Sequence, residues 1–125
     1  MLKIGLKNAA TRIVGEADTA VAHGSGSLPV FATPAMIAFM ENTAMESVQP
    51  FLAEGECTVG TRIDVKHMAA IPVGREVRCE SELVEIDRRR LVFAVRAYDA
   101  RGTIGEGMHE RFIVNNEKFM AKLQG

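Results

Sequence analysis

The 125-residue chain is 47% hydrophobic and 25% charged, with a formal net charge of −1 at pH 7. These values are typical of one globular domain, so residues 1–125 are expected to fold as a single unit. The near-zero net charge gives no electrostatic indication of binding to nucleic acid or to an anionic membrane.

The first residues lack the apolar core of a signal peptide, and no segment is apolar enough to span a bilayer. The two cysteines, Cys57 and Cys79, fit neither a disulfide framework nor a metal-ligand cluster. We therefore expect a cytoplasmic protein with free thiols and no metal site.

The N-terminal third of the chain contains a weak strand pattern and a loop. Residues 1–8 form a short strand or stay extended, and a strand is expected around residues 11–17. Residues 23–30 are rich in Gly and Ser and contain a proline, which predicts a loop. This loop is either a lid over the N-terminus of the next helix or a plain connector.

Residues 31–52 form the central feature of the sequence. Thr33 and Pro34 predict a helix start, with the threonine as cap and the proline at the first helical position. From residue 35 to 48 the segment is apolar on nearly every side, which predicts a helix buried all round. One chain of this length has little surface to wrap around such a helix, so a homodimer, or a tetramer, is expected.

Four strand patterns follow a turn at residues 53–56. Apolar and polar residues alternate in residues 61–69, 77–83 and 91–99, with polar turns at 87–90 and 99–102. A long strand is expected over residues 103–114 and a short amphipathic helix over 116–123. This order predicts a meander of four antiparallel strands that curves around one long central helix. Such an α+β architecture has the layout of the hotdog fold.

Two candidate residues are expected to face each other across this core. Glu41 places a carboxylate within the apolar helix, and burying it without a partner costs several kcal/mol. Its carboxylate either reaches solvent, forms an interfacial salt bridge, or pairs inside the core. His67 shares the apolar face of its strand with Ile63 and Val65, so it points towards the helix. His67 is either a core histidine satisfied by a backbone carbonyl or the partner of Glu41; pairing would solve the burial of both groups, and we favour it.

Thr33 has two interpretations. It caps the helix, or it helps the helix N-terminus to stabilise a developing oxyanion. Thr33 and Glu41 are about 12 Å apart along the helix axis, so a relay between them needs His67 or a substrate.

The last strand places Gly105, Gly107, His109 and Arg111 on one face. The glycines permit close approach of another backbone, for which the helix is the expected neighbour. His109 and Arg111 line a dimer seam, or the arginine meets a phosphate. The chain has no P-loop, dinucleotide-binding, zinc-protease or nucleophile-elbow motif.

Several of these features together resemble the fluoroacetyl-CoA thioesterase-like family of hotdog proteins, over roughly residues 8–120. The resemblance lies in Thr33-Pro34, Glu41 eight residues later, Gly60-Thr61, His67 twenty-six residues after Glu41, and the closing Gly-x-Gly-x-His-Glu-Arg strand. It implies hydrolysis of acyl-CoA thioesters by Thr33, Glu41 and His67, with CoA entering as part of the substrate and no further cofactor. It places Gly60 near the thioester carbonyl, and the further expected substrate contacts are Phe31, His109 and Arg111.

One segment departs from the fluoroacetyl-specific pattern, which uses aromatic residues before the threonine as a lid. Here residues 25–29 read Ser-Gly-Ser-Leu-Pro, and the nearest aromatic is Phe31. We therefore expect a different acyl group, of short or medium length. The alternatives are a non-catalytic acyl-CoA binding or sensing protein and an enoyl-CoA hydratase. The hydratase reaction needs an Asp near a loop histidine, and His23 has none.

Overall fold

The computed structural model describes residues 1–124 as one antiparallel sheet and a long helix, with two short helices. The elements in chain order are β1 (Lys7–Ile13), α1 (Ala20–His23), α2 (Thr33–Val48), β2 (Glu56–His67), β3 (Glu76–Asp87), β4 (Arg90–Asp99), β5 (Gly102–Asn115) and α3 (Asn116–Lys122). Single turns of 3₁₀ helix occupy Glu16–Asp18 and Gln49–Phe51.

The five strands are ordered β1-β3-β4-β5-β2, and each neighbouring pair is antiparallel. β3, β4 and β5 form a meander because two-residue turns join each strand to the next. β1 and β2 complete the two edges, and α2 packs mainly against β3, β1 and β4. This architecture confirms the predicted α+β hotdog layout. The expected meander of four strands is wrong, because β2 pairs with β5 and not with the next strand in sequence, β3.

The core lies between α2 and one face of the sheet. The predicted inward positions of β3 and β4 are buried. The fully buried side chains of the helix and sheet include Met36, Met40, Val77, Leu83, Leu91 and Phe93. Alternation of period two therefore identified the buried face of β3 and β4 correctly, whereas in β2 the predicted inward residues Thr61 and Ile63 are exposed.

α2 differs from its prediction in two respects. It begins at Thr33 rather than after it, and the capping position is Ala32, which has no side-chain acceptor. The helix is also not buried all round in the single chain, because Ala38, Asn42 and Glu46 are exposed on one side. The Thr33 hydroxyl is thus free of the capping role and available for another contact.

The bounds of both edge strands also differ from their predictions. β1 runs over Lys7–Ile13 rather than 11–17, because Gly15 begins a turn in which its N–H donates to Asp18 Oδ2 at 2.8 Å. β2 begins at Glu56 rather than 61 and ends at His67, where Met68 N–H turns to the Ile104 carbonyl. Edge strands lack a neighbour on one side, so sequence alternation constrains their ends less than those of central strands.

The glycines at positions 105 and 107 of β5 each allow a different part of the protein to approach the strand closely. A Cβ atom on Gly105 would lie 2.6 Å from Met36 Sδ, so this glycine does let the helix approach the sheet. A Cβ atom on Gly107 would instead meet the backbone of Asp64 and Val65 in β2. The expected helix contact is therefore right at Gly105 and wrong at Gly107.

Among residues 1–124, no helix combines the length and the apolar character that a membrane crossing requires. The same residues contain no group of three or more His, Cys, Asp or Glu side chains placed to hold a metal ion.

Candidate active site

A threonine and a histidine meet at the N-terminus of α2. Thr33 Oγ1 lies 2.7 Å from His67 Nδ1, joining the first residue of the helix to the last residue of β2. The chain before the helix is anchored by two backbone bonds, from Phe31 N–H to the Ile71 carbonyl at 2.8 Å and from Ala32 N–H to Asp18 O at 2.8 Å. The hydroxyl that could have capped the helix therefore contacts the imidazole instead.

The surroundings of His67 favour its neutral form. The Phe31 ring stands edge-on to the imidazole with the ring centroids 6.4 Å apart. Burial lowers the pKa of His67 below its ordinary 6.5, and the backbone of Ala69 offsets part of this effect. Its Nε2 atom is buried and has no hydrogen-bond partner within residues 1–124. A neutral imidazole with one unpaired nitrogen is suited to accept a proton.

A cavity of about 290 Å³ adjoins this pair. Its lining residues are Ala20, Ser25, Val30, Phe31, Thr33, His67, Met68, Ala69 and Ala70. Ser25 comes from the Gly- and Ser-rich loop, which therefore borders the cavity as the lid interpretation requires. A larger depression of about 770 Å³ lies on the sheet, between β1 and β5, and contains none of the candidate residues.

Glu41 lies in a second cluster. Its Oε2 atom is 3.8 Å from Arg111 Nη1 and 4.0 Å from His109 Nε2, and its side chain is 41% exposed. No ion pair joins Glu41 to His67 among the described residues, so the expected pairing of these two groups within one chain is wrong. Glu41 lies two turns of α2 beyond Thr33. Its side chain is next to His109 and Arg111 of β5.

Arg111 and His109 are buried and bonded inside the protein. The guanidinium donates from Nε to Thr58 Oγ1 at 2.7 Å and from Nη2 to Thr58 O at 2.8 Å. Its Nη1 lies 3.1 Å from His109 Nε2, and His109 Nδ1 lies 2.7 Å from Arg62 O. Because an arginine only donates and a carbonyl only accepts, these contacts require His109 with its proton on Nδ1.

The electrostatics of this cluster favour the neutral form of His109. Burial lowers the pKa of His109; the Arg62 carbonyl offsets part of the effect and the Arg111 charge adds to it. Burial also lowers the pKa of Arg111, while Glu41 opposes the change. Arginine nevertheless stays charged at neutral pH, so the cluster holds one buried cation and one carboxylate.

Gly60 and Thr58 bring β2 into the same cluster. A Cβ atom on Gly60 would lie 2.8 Å from Glu41 Oε2 and 3.4 Å from Arg111 Nη1. Thr58 lies outside the strand predicted at residues 61–69 and was not a predicted site residue. A β-bulge between Gly60 and Arg62 shifts the register, so alternation counted back from residue 61 would place Thr58 on the opposite face. Only the pairing of β2 with β5 brings Thr58 beside Arg111.

The architecture and the Thr33–His67 pair together place the protein among the hotdog-fold thioesterases. More narrowly, the chain belongs to the family of the fluoroacetyl-CoA-specific thioesterase FlK, which matches residues 14–117. The protein is thus an enzyme, a thioester hydrolase. This family membership favours hydrolysis over the binding-protein and hydratase alternatives.

Individual relatives agree with this assignment. The fluoroacetyl-CoA thioesterase of Streptantibioticus cattleyicolor is 42% identical over 95 residues, which cover 76% of this chain and 68% of the relative. A crystal structure of FlK matches with a TM-score of 0.94 at 33% identity, covering 99% of this chain and 96% of FlK. A thioesterase superfamily member from Thermus thermophilus matches with a TM-score of 0.90 at 27% identity, covering 99% and 92%. FlK variants have also been crystallised with acetyl-CoA and with fluoroacetate and CoA.

Proposed function

We propose that this protein hydrolyses short- or medium-chain acyl-CoA thioesters at a site built on Thr33, His67 and Glu41. The observation that carries the proposal is the 2.7 Å contact between Thr33 and His67, beside a cavity and with His67 Nε2 buried and unpaired. A buried polar atom without a partner is costly, and substrate or water in the cavity would supply one. The CoA complexes of the relative FlK support a CoA thioester as the substrate.

The two side chains have complementary roles in the proposed reaction. His67 Nδ1–H donates to Thr33 Oγ1, which leaves the Thr33 hydroxyl proton for the thioester carbonyl oxygen and the Nε2 lone pair for water. Nε2 takes a proton from water as the oxygen attacks the carbonyl carbon. The C–S bond then breaks, and the imidazolium returns the proton to the CoA thiolate. The products are the free acid and CoA, and no further cofactor takes part.

The size of the cavity supports the acyl class. At about 290 Å³ and with alanine at three lining positions, it has room for a short or medium acyl chain. The lining contains no aromatic residue from the loop that precedes Phe31, so nothing there closes tightly over a two-carbon group.

A homodimer would complete the site. Glu41 is on the exposed side of α2, and β2 offers an unpaired strand edge next to it. Two copies related by a two-fold axis along these surfaces would place the α2 helices antiparallel, with Glu41 of one subunit near Thr33 and His67 of the other. Glu41 would then stabilise the imidazolium that forms during proton transfer. Pairing of two such dimers would give a tetramer.

The location we propose is the cytoplasm. Cys57 and Cys79 are both free thiols, as a reducing compartment allows. Burial raises the pKa of the Cys79 thiol to about 11, so this cysteine stays protonated and unreactive.

A panel of acyl-CoA substrates tests the proposal. We expect release of free CoA thiol from members between acetyl-CoA and decanoyl-CoA, with the highest kcat/KM for a short or medium chain. The panel also includes fluoroacetyl-CoA, which tests an acyl group that depends on a lid, and phenylacetyl-CoA, which tests a bulky acyl group. Binding of these compounds without turnover of any of them would contradict the proposal and indicate an acyl-CoA binding protein.

The pH dependence of kcat/KM should show one acid limb. Because burial lowers the pKa of His67, the neutral base predominates above pH 6.5 and is lost as the pH falls through that lowered value. We therefore expect a constant rate between about pH 7 and 8 and a decline with a midpoint below 6.5. The Glu41 carboxylate of the partner subunit would oppose this lowering, so Glu41→Gln is the control. A midpoint well above 6.5 in both wild type and Glu41→Gln would show that the essential base is a different group.

A further inference from the structure

We propose that Arg111 is a positioning residue that holds the Glu41 carboxylate in its working place, and that Thr58 and His109 fix Arg111 for this task. The inference rests on the proposed function, in which Glu41 assists the reaction. A phosphate contact was one of the two roles predicted for Arg111. Its buried guanidinium and its three internal bonds leave no face for a phosphate.

The hydrogen bonds of Arg111 fix its orientation. Two of its nitrogens bind the Thr58 hydroxyl and carbonyl, so the guanidinium plane is tied to β2. The third, Nη1, lies between His109 Nε2 and the Glu41 carboxylate. A planar guanidinium held at two nitrogens presents the third in one direction only, and here that direction is towards Glu41.

Charge balance links Arg111 to Glu41 in particular. A buried cation requires a nearby anion, and Glu41 is the carboxylate that forms an ion pair with Arg111 among the described residues. Glu41 is 41% exposed and has several rotatable bonds, so without this cation its carboxylate would sample solvent. The Arg111 charge therefore restricts the carboxylate to the β5 side of α2.

His109 acts as a neutral support in this arrangement. A bulge in β2 between Gly60 and Arg62 shifts the pairing with β5, and the Arg62 carbonyl accepts from His109 Nδ1–H. The Phe93 ring packs against the imidazole with the ring centroids 6.3 Å apart. Held in this tautomer, His109 accepts from Arg111 and adds no second positive charge beside Glu41.

Three variants test the role of Arg111. Arg111→Gln should lower kcat by about tenfold or more while KM changes by less than about threefold, since positioning acts on the transition state more than on substrate binding. Arg111→Lys keeps the charge and should recover part of the loss. Thr58→Val removes only the hydroxyl and should cause a smaller loss of the same kind. Arg90→Gln is the matched control, because Arg90 is paired with Glu85 and Glu110 and does not contact Glu41.

A double-mutant cycle identifies the group through which Arg111 acts. In a Glu41→Gln background, Arg111→Gln should cause little further loss of kcat, because the carboxylate that it positions is already gone. Multiplicative losses would overturn the proposal, as would a rise in KM with unchanged kcat, which would indicate substrate binding. Thr58→Val provides the same comparison if Arg111→Gln does not fold.

The outcome also separates this inference from the proposed function. If wild type turns over none of the acyl-CoA panel, the proposed function fails and no kcat exists to compare. If wild type and Arg90→Gln are active and Arg111→Gln is equally active, the proposed function stands and the positioning role is refuted.

Discussion

Replacing His67 by alanine should lower kcat on the best acyl-CoA substrate by about 100-fold or more, the usual contribution of a general base. The change removes the imidazole that contacts Thr33 and whose Nε2 is unpaired. The variant should remain folded, because the partner lost is a single exposed hydroxyl at a helix start. Thiol release measures the turnover, and circular dichroism measures the fold.

His23→Ala is the matched control for this variant. His23 ends α1, is exposed, and does not line the cavity at Thr33. We expect it to retain the wild-type kcat. Retention of more than about a third of the activity by a folded His67→Ala would mean that His67 is not the base.

Glu41→Gln should lower kcat by about 100-fold while leaving acyl-CoA binding nearly unchanged. The substitution preserves size and removes the charge that pairs with Arg111 and that would stabilise a His67 imidazolium. Turnover is measured by thiol release, and binding by calorimetry with a non-hydrolysable acyl-CoA analogue. Loss of turnover with retained binding is the result expected of a catalytic carboxylate.

Glu46→Gln controls for the loss of a carboxylate from the same helix. Glu46 is exposed one turn further along α2 and forms no ion pair in the described part of the chain, so its variant should match wild type. If Glu41→Gln also matches wild type, Glu41 takes no part in the reaction. If it loses binding instead of turnover, Glu41 is a substrate contact.

The meander of β3, β4 and β5 was predictable because the sequence patterns of its strands and turns are local. Each strand alternates with period two, and each turn is a short polar segment between two such runs. Burial of Val77, Leu83 and Phe93 follows from this pattern alone. The central helix was predictable for the same reason, apart from its cap and its exposed side.

The edge strands were less predictable because their ends depend on residues far away in sequence. β1 takes its register from β3, where Lys7 pairs with Glu82 and Ile13 with Glu76. β2 takes its register from β5 and bulges between Gly60 and Arg62. Neither pairing leaves a signal in the strand's own residues.

The residues of the candidate site were predictable from the sequence, but the contacts between them were not. Thr33, Glu41, His67, His109 and Arg111 were all identified from the sequence as candidates. Which of them meet depends on how α2 rotates against the sheet, since a helix presents Thr33 and Glu41 two turns apart. In the structure Thr33 contacts His67 and Glu41 pairs with Arg111, whereas the predicted pair was Glu41 with His67.

The central claim is that one active site takes Thr33 and His67 from one subunit and Glu41 from the other. The direct measurement uses a purified heterodimer of His67→Ala and Glu41→Gln subunits, carrying two different affinity tags. One of its two sites then has all three residues intact, so we predict about half of the wild-type kcat, although each parent homodimer is nearly inactive. A heterodimer no more active than its parents would contradict the account and place all three residues in one subunit.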